Sequence, residues 1–458
     1  MKLRPYQQEV ARAVLDSIRD GQGLTLSVEI ARQGGKNELS AHLEVLLLTL
    51  YMAQGGSLVK CSPTFKPQTI VSIARLKDRL EEFGFDGTYR LEMGYILTLG
   101  AARAVFLSAD EHASVVGHTA DILLEIDESQ DVSKEKYSKE FRPMGSSTNV
   151  TTVHYGTTWD DTTLLEEVKQ TNLELERRDG IKRHFRYDWQ DVARHNPEYG
   201  RYVEAERDRL GEDHPLFRTQ YLLLPLRGGG GFLTRQQIVS LAGTYPRRKD
   251  PEPGKTYVAG IDLAGEREET KEQALASARS KLDSTVITIA EVDTTQRSQA
   301  PLTEPAVKVV EHYHWTGTPH SQLYGQMVGI LQAWGCHKVL VDSTGIGQPV
   351  ASFLRSHLGS RIVPFTFTQR SKSDMGFELL SLVNSGRLRI YKKDGSPEYQ
   401  ELTLQLERAR SQYRPNQTMN FYVDPQEGHD DFLVSLALTA EAARDFRPRA
   451  AKGGLRDE

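Results

Sequence analysis

Apolar positions along this 458-residue chain follow two rhythms. Short, nearly continuous apolar runs bounded by polar turns alternate with longer stretches in which apolar residues recur at helical spacing. That alternation predicts an α/β fold with largely parallel sheets, because strands buried on both faces read as unbroken apolar runs. In the first half, LRPYQQEVARAVLDSI (3–18) opens on a Pro-Tyr-Gln turn and continues as an amphipathic helix. Leu24 to Ile30 read as a strand, followed by a polar loop and a long apolar helix. GSLVKCSPTF (56–65), AVFLSAD (104–110), DILLEIDE (121–128) and NVTTVHYGTTWDD (149–161) add strands, with a helix at TIVSIARLKDRLEEFGF. From 169 to 218 the chain is charge-dense, with apolar and aromatic residues at helical spacing.

The second half repeats the mixture in another order. TYVAGIDLAG (256–265), STVITIAEV (284–292) and AVKVVEHYHW (306–315) read as three strands opening an antiparallel sheet, with a polar insertion after the first. A helix (321–334), a strand running into a helix (338–354), a strand (361–368) and a helix with a strand (377–390) follow. The last helix opens with GHDDFLVSLALTAEAA. Between the halves, LRGGGGFLT (226–234) reads as a flexible hinge and TYPRRKDPEPGKT (244–256) as a linker. The expected division is a core at 1–168, a helical lid and hinge at 169–230, a linker at 231–255, a second domain at 256–445 and a disordered basic tail at 446–458.

Composition narrows the class. A hydrophobic share of 38% with 26% charged residues describes a soluble globular protein. The net charge of −5 means that any nucleic-acid function rests on local basic patches. Cys61 and Cys336 are far apart and lack ligand spacing, which excludes a disulfide framework or a cysteine zinc site and fits a reducing compartment. The apolar run from Val45 is too short to span a bilayer, and the N-terminus has no signal pattern, so the chain is expected neither in a membrane nor secreted.

Two constellations carry chemistry. The first is strand, loop and helix around Arg32, Gln33, Gly34, Gly35, Lys36 and Asn37. Backbone N–H groups at a helix start can face phosphates while a lysine reaches the β/γ oxygens. The loop departs from G-x-x-x-x-G-K-[ST]: Ile30 stands at the first Gly, and Asn37 replaces the hydroxyl that ligates Mg²⁺. About 90 residues on, an apolar strand ends in Asp127 and Glu128, the acids that would hold Mg²⁺ through its water shell and polarise the attacking water. Gln7 is a candidate for the adenine edge. Gly156, Thr157 and Thr158 end a strand where loss of a γ-phosphate can be sensed.

The second constellation is Asp262 on the first strand of the second half, Asp342 at the end of its fourth, and Asp430 with Asp431 at the start of the last helix. Each is cheap alone, since Asp at strand ends and helix starts is structurally favoured. Their order on a βββαβα pattern is that of an RNase H-like nuclease using two Mg²⁺ or Mn²⁺ ions about 4 Å apart. Asp431 shares a helix face with Val434, Ser435 and Leu438, and Asp430 lies about 100° away. Either can be the ligand.

ARQGGKNE, LLEIDE and GTT, followed by GIDLAG, VLVDSTGIG and GHDDFLVSLALTA, resemble in order the motifs of the large terminase subunit of tailed bacteriophages. The resemblance covers nearly the whole chain. It implies an N-terminal RecA-like P-loop ATPase with a small helical lid and a C-terminal RNase H-like nuclease. It implies Lys36 and Asp127 in ATP and Mg²⁺ binding, Glu128 as catalytic carboxylate, Arg32 as an arginine acting in cis, Gln7 at adenine, and Gly156, Thr157 and Thr158 as the coupling segment. Asp262, Asp342 and Asp430 or Asp431 would cut the DNA. The implied partners are double-stranded DNA, the portal protein, the small terminase subunit and further copies of the chain, commonly five in a ring, with a monomer possible in solution. The implied location is the host cytoplasm and, transiently, the procapsid. The rival reading, a repair or restriction helicase-nuclease, needs a second set of strand-loop motifs that the region after Thr158 lacks.

Overall fold

The structure, a computed structural model, describes residues 2–110, 112–113, 115, 117–226, 230–264, 284–293, 304–345, 347–414, 416–444 and 446. The polar insertion after Gly265 and all of the expected tail except Phe446 lie outside these residues. The chain forms two compact units, one of residues 1–204 with 215–228 and one of residues 205–214 with 229–458.

The first unit is built on an eight-stranded sheet of β1 (Thr25–Ile30), β2 (Gly56–Ser62), β3 (Tyr89–Glu92), β4 (Ile96–Leu99), β5 (Ala102–Ser108), β6 (Leu123–Ile126), β7 (Thr152–Gly156) and β8 (His184–Tyr187). Its order is β3-β4-β5-β2-β6-β7-β1-β8. From β5 to β8 every pairing is parallel, and an antiparallel hairpin closes the other edge. All residues of β6 and β7 are buried, the polar Glu125, Thr152 and His154 among them, as strands covered on both faces require. The order puts β7 between β1 and β6, so the segment leaving β7 emerges between the loop after β1 and the acids after β6.

The expected helical lid needs correction. Within 169–230, β8 pairs with β1 as a sheet strand, and the helix Leu164–Asp179 packs on β1 and β7. The strand reads HFRY, polar enough to hide in a charge-dense stretch, because an edge strand needs only one apolar side.

The second unit carries β9 (Gly230–Gly231), β10 (Tyr257–Asp262), β11 (Ser284–Asp293), β12 (Ala306–Thr316), β13 (Lys338–Asp342), β14 (Ile362–Phe365), β15 (Leu388–Ile390), β16 (Arg410–Tyr413) and β17 (Met419–Tyr422). Six of these form a sheet of order β14-β13-β10-β11-β12-β15. The pairs β10–β11 and β11–β12 are antiparallel, as expected, and β13, β14 and β15 add in parallel. The second correction is the linker at 231–255. Gly230 and Gly231 of the expected hinge pair with β16, and the helix Arg235–Ser240 follows. Tyr245 Oη donates to Val309 O at 3.0 Å and Arg389 O at 2.9 Å. Arg247 reaches His312 O at 2.8 Å and Glu398 at 3.0 Å, and Arg248 reaches Glu291 at 2.5 Å. Ion pairing to the sheet converts a Pro- and charge-rich stretch into fixed structure.

Cys61 lies in β2 of the first unit and Cys336 in the second, and both are buried free thiols. Burial pushes the Cys61 thiol well above its ordinary pKa and that of Cys336 up to about 12. Among the described residues no helix is long and apolar enough to cross a membrane.

Candidate functional site

The loop between β1 and the helix Lys36–Tyr51 is held from outside. Tyr199 Oη donates to Arg32 O at 2.9 Å, Tyr6 Oη to Gly34 O at 2.5 Å and Gln7 Nε2 to Gly35 O at 2.8 Å. Three successive grips on carbonyls leave the first helical turn to offer its N–H groups, as any helix start does, to an anion. Gly35 has φ +95°, the left-handed region that favours glycine. At Gly34 a Cβ would come within 2.6 Å of Ile30 Cγ2 and 2.8 Å of Ala31 O, so only glycine fits. Gln33 takes φ +60° without that freedom.

Gln7, expected at an adenine edge, is 3% exposed. Besides its bond to Gly35, its Oε1 accepts the Arg4 N–H at 2.8 Å. In this structure the amide braces the loop instead of facing a base. The exposed Arg32 is tethered too, its Nη1 donating to Gln220 Oε1 at 2.6 Å.

Lys36 Nζ lies 2.6 Å from Glu128 Oε1 and 3.9 Å from Asp127 Oδ1. Burial opposes the lysine's charge, but Glu128 and Asp127 outweigh it and raise its pKa. For Glu128, burial is overcome by Lys36 and the Gln130 amide, which hold it below the usual carboxylate range. Burial pushes Asp127 up despite Lys36. The two strands are locked together beneath this pair. Lys60 of β2 donates to Ser40 Oγ at 2.7 Å and Glu44 Oε1 at 2.9 Å, and Ser40 donates on to Glu125 Oε1 of β6 at 2.8 Å. This ties the helix bearing Lys36 to the strand bearing Asp127.

A Mg²⁺ ion fits this donor set. Asn37 Oδ1 is buried with no hydrogen-bond partner, an acceptor suited to a metal-bound water. Thr157 N–H donates to Gln130 Oε1 at 3.2 Å, and Thr158 Oγ1 is buried without a partner.

In the second unit, β10 and β13 run parallel with Ile261 opposite Val341, so Asp262 and Asp342, the next residues, end the two strands side by side. The helix Asp431–Arg444 packs on β10, β11 and β13. Gly260 makes this possible: a Cβ there would lie 2.4 Å from Ser435 O and 2.5 Å from Thr439 N. Ser435 Oγ donates to Gly260 O at 2.9 Å and Thr288 Oγ1 at 2.8 Å, and Thr439 Oγ1 to Thr288 O at 3.2 Å. Residues 431, 435 and 439 share one helix face, so this zipper sets Asp431 over the end of β10.

Asp262 is 9% exposed. Burial first, then the charges of Asp431, Asp430 and Asp342, push it well above the usual carboxylate range, with Lys372 opposing. Burial also raises Asp342, against the Thr344 N–H that donates to its Oδ1 at 2.8 Å. The acids are neighbours but not a closed cage: among the described residues no three His, Cys, Asp or Glu side chains stand as a metal-holding group. Asp431 Oδ2 instead accepts the Ser284 N–H at 2.7 Å. The chemistry of the cluster, a buried carboxylate crowded by three others, fits divalent cations.

Sequence reasoning takes Tyr6 or Pro5 as packing on an adenine ring, whereas Tyr6 here holds the Gly34 carbonyl, and it missed Tyr199 and Gln220 at the loop, Gln130 beside Glu128, and Gly260, Ser284 and Lys372 around the acids. Gly260 alone left a legible trace, a glycine inside an apolar strand, which signals close approach of another backbone.

No protein-family description matches the chain, and no curated protein matches it either. Solved structures do. The large terminase of a thermophilic bacteriophage matches over 96% of this chain and 99% of its own, with TM-score 0.57 at 11% identity. The same protein in complex with ATP-γ-S matches over the same spans with TM-score 0.53 at 11% identity, and in complex with ADP with TM-score 0.54 at 11% identity. The fold is that of a bacteriophage large terminase. At this identity the likeness speaks to architecture, and the large-terminase fold here comprises a RecA-like unit followed by an RNase H-like one.

Proposed function

We propose that the chain is the motor and nuclease subunit of a viral DNA-packaging machine. ATP hydrolysis in the first unit drives double-stranded DNA into a procapsid through the portal, and the second unit cuts the concatemer to start and end packaging. The observation that carries this reading is the pairing, within one chain of large-terminase fold, of a phosphate-type loop facing an Asp-Glu pair with a four-carboxylate cluster on a separate sheet.

On this reading Lys36 exchanges Glu128 for the β/γ phosphates. Release of the lysine frees Glu128 to orient the attacking water. Asp127 and Asn37 would hold Mg²⁺, which neutralises charge on the phosphates when bound. Arg32 adds positive charge near the γ-phosphate, and Thr157 with Thr158 carries the change onward. In the nuclease, Asp262, Asp342, Asp430 and Asp431 would hold two Mg²⁺ or Mn²⁺ ions, which supply an activated water and a stabilised leaving oxygen. The Ser284 and Thr344 N–H groups keep Asp431 and Asp342 aimed, and Lys372 draws the phosphate backbone in. A ring of copies around one duplex, commonly five, and a small subunit that delivers DNA complete the assembly, which works in the host cytoplasm.

The test is a separation of the two engines. DNA-stimulated ATP hydrolysis is expected to vanish in Lys36→Ala with Mn²⁺-dependent plasmid cutting retained, and Asp342→Ala to show the reverse. Equal cutting by wild type and Asp342→Ala would sink the nuclease assignment.

A further inference from the structure

We propose that Gln130 is a positioning residue that joins Glu128 to the Gly156–Thr158 segment, so that the carboxylate facing the attacking water and the segment beside the phosphate move together. The inference rests on the ATPase reading above.

Gln130 is 4% exposed, in the short turn Ser129–Asp131 after β6. Both ends of its amide are committed. Nε2 donates to Glu128 Oε2 at 2.7 Å, with Asp131 Oδ2 at 3.4 Å, and Oε1 accepts the Thr157 N–H at 3.2 Å. The carboxylate of Glu128 is thus held on two sides, Oε1 by Lys36 and Oε2 by Gln130. The backbone of Glu128 sits at φ +46°, a left-handed conformation that a residue with a side chain keeps only under constraint. If Lys36 turns to the phosphates, Gln130 is the contact that keeps Glu128 aimed.

The neighbouring chain is shaped around this amide. A Cβ at Gly156 would stand 2.1 Å from Gln130 Oε1 and 2.6 Å from Leu165 Cδ2. Glycine at 156 is therefore demanded by the glutamine and Leu165 beside it, since Gly156 is not among the positive-φ residues. A primary amide suits the bridge because it donates and accepts at once. Glutamate would repel Glu128 and lose the donor, and asparagine is one methylene short of spanning both partners. Because β7 separates β6 from β1, this bridge joins the acid strand to the segment that emerges beside the phosphate loop.

The experiment measures DNA-stimulated ATP hydrolysis by the full chain in Gln130→Leu, Gln130→Asn, Gly156→Ala and the Gln130→Leu/Gly156→Ala double variant, with Lys36→Ala alongside. The expected result for Gln130→Leu is a kcat lower by about ten- to a hundredfold with KM for ATP within about twofold, the signature of a contact that matters in the transition state. Gln130→Asn, which keeps the amide chemistry, should fall between Gln130→Leu and wild type, and the double variant should lose less than the sum of the two single losses, because the crowding against Leu165 remains while the amide bridge is lost only once. Wild-type turnover in Gln130→Leu, a raised KM with unchanged kcat, or additive losses in the double variant would each overturn the proposal. Lys36→Ala separates the failures. Full hydrolysis in Lys36→Ala overturns the ATPase reading and this proposal with it, whereas lost hydrolysis there beside normal turnover in Gln130→Leu overturns this proposal alone.

Discussion

The two acidic sites of this chain solve opposite electrostatic problems. In the first unit the acids face a cation from their own chain: Lys36 pairs with Glu128 at 2.6 Å, and the charges raise one pKa and lower the other. In the second unit Asp262 faces Asp431, Asp430 and Asp342, and among the described residues the field of Lys372 opposes them. A site whose own lysine fills the ligand's place can rest closed and balanced. A site made of carboxylates stays frustrated until cations arrive. The first arrangement suits a ligand that comes and goes with each turnover, the second a resident metal.

The sharpest way to break this contrast is to neutralise one acid on each side. Asp262→Asn is expected to reduce plasmid cutting by about a hundredfold or more, and Glu128→Gln to do the same to ATP hydrolysis, each sparing the other activity. Stability should move in opposite directions. Without divalent ions, Asp262→Asn relieves a buried, crowded charge and should raise the thermal unfolding midpoint of its unit. Glu128→Gln strands Lys36 and should destabilise by roughly 1–3 kcal/mol. A fall in both variants would show that the acid cluster is already compensated.

Next in size is the response to metal. Mn²⁺ at about a hundred times its Kd should stabilise the wild type by roughly 2.7 kcal/mol. The same titration of Asp262→Asn should give a much smaller shift, read by calorimetry.

The smallest effect probes an exception within the balanced unit. Glu29, fully buried in β1, is pushed up to about 7 by burial, despite Lys169 at 3.6 Å. An acid whose folded pKa lies above its unfolded value binds more protons folded, so stability falls as pH rises from about 4.5 to about 7. Above that window its cost is fully present. Glu29→Gln should therefore be the more stable protein at pH 8, by about 1–3 kcal/mol, and equal to wild type near pH 4.5 in urea titrations.

Much of this architecture was legible because buried parallel strands announce themselves. β2, β5 and β6 carry apolar runs and β1 alternates apolar with polar residues, and a strand that leads into Asp127 or ends in Asp342 carries its chemistry at a position that periodicity alone reveals. The parts that escaped depend on partners distant in sequence. β8 is an edge strand with little apolar signal. Arg247 and Arg248 look like linker residues until Glu291 and Glu398 are opposite them. Gln7 reads equally well as a base contact or a brace, and only the Gly35 carbonyl decides what it does here. The Gln130 bridge joins two segments whose separation along the chain carries no pattern at all.

The two cysteines have a practical consequence. Each compact unit holds a single thiol, sealed from solvent and disfavoured as thiolate. The natural chain is thus already a pair of built-in exchange reporters, one per unit. The rate at which a disulfide reagent reaches Cys61 measures how often β2 of the first unit opens, and the rate at Cys336 does so for the second unit, with no residue altered. Nucleotide should slow the first clock and divalent metal the second.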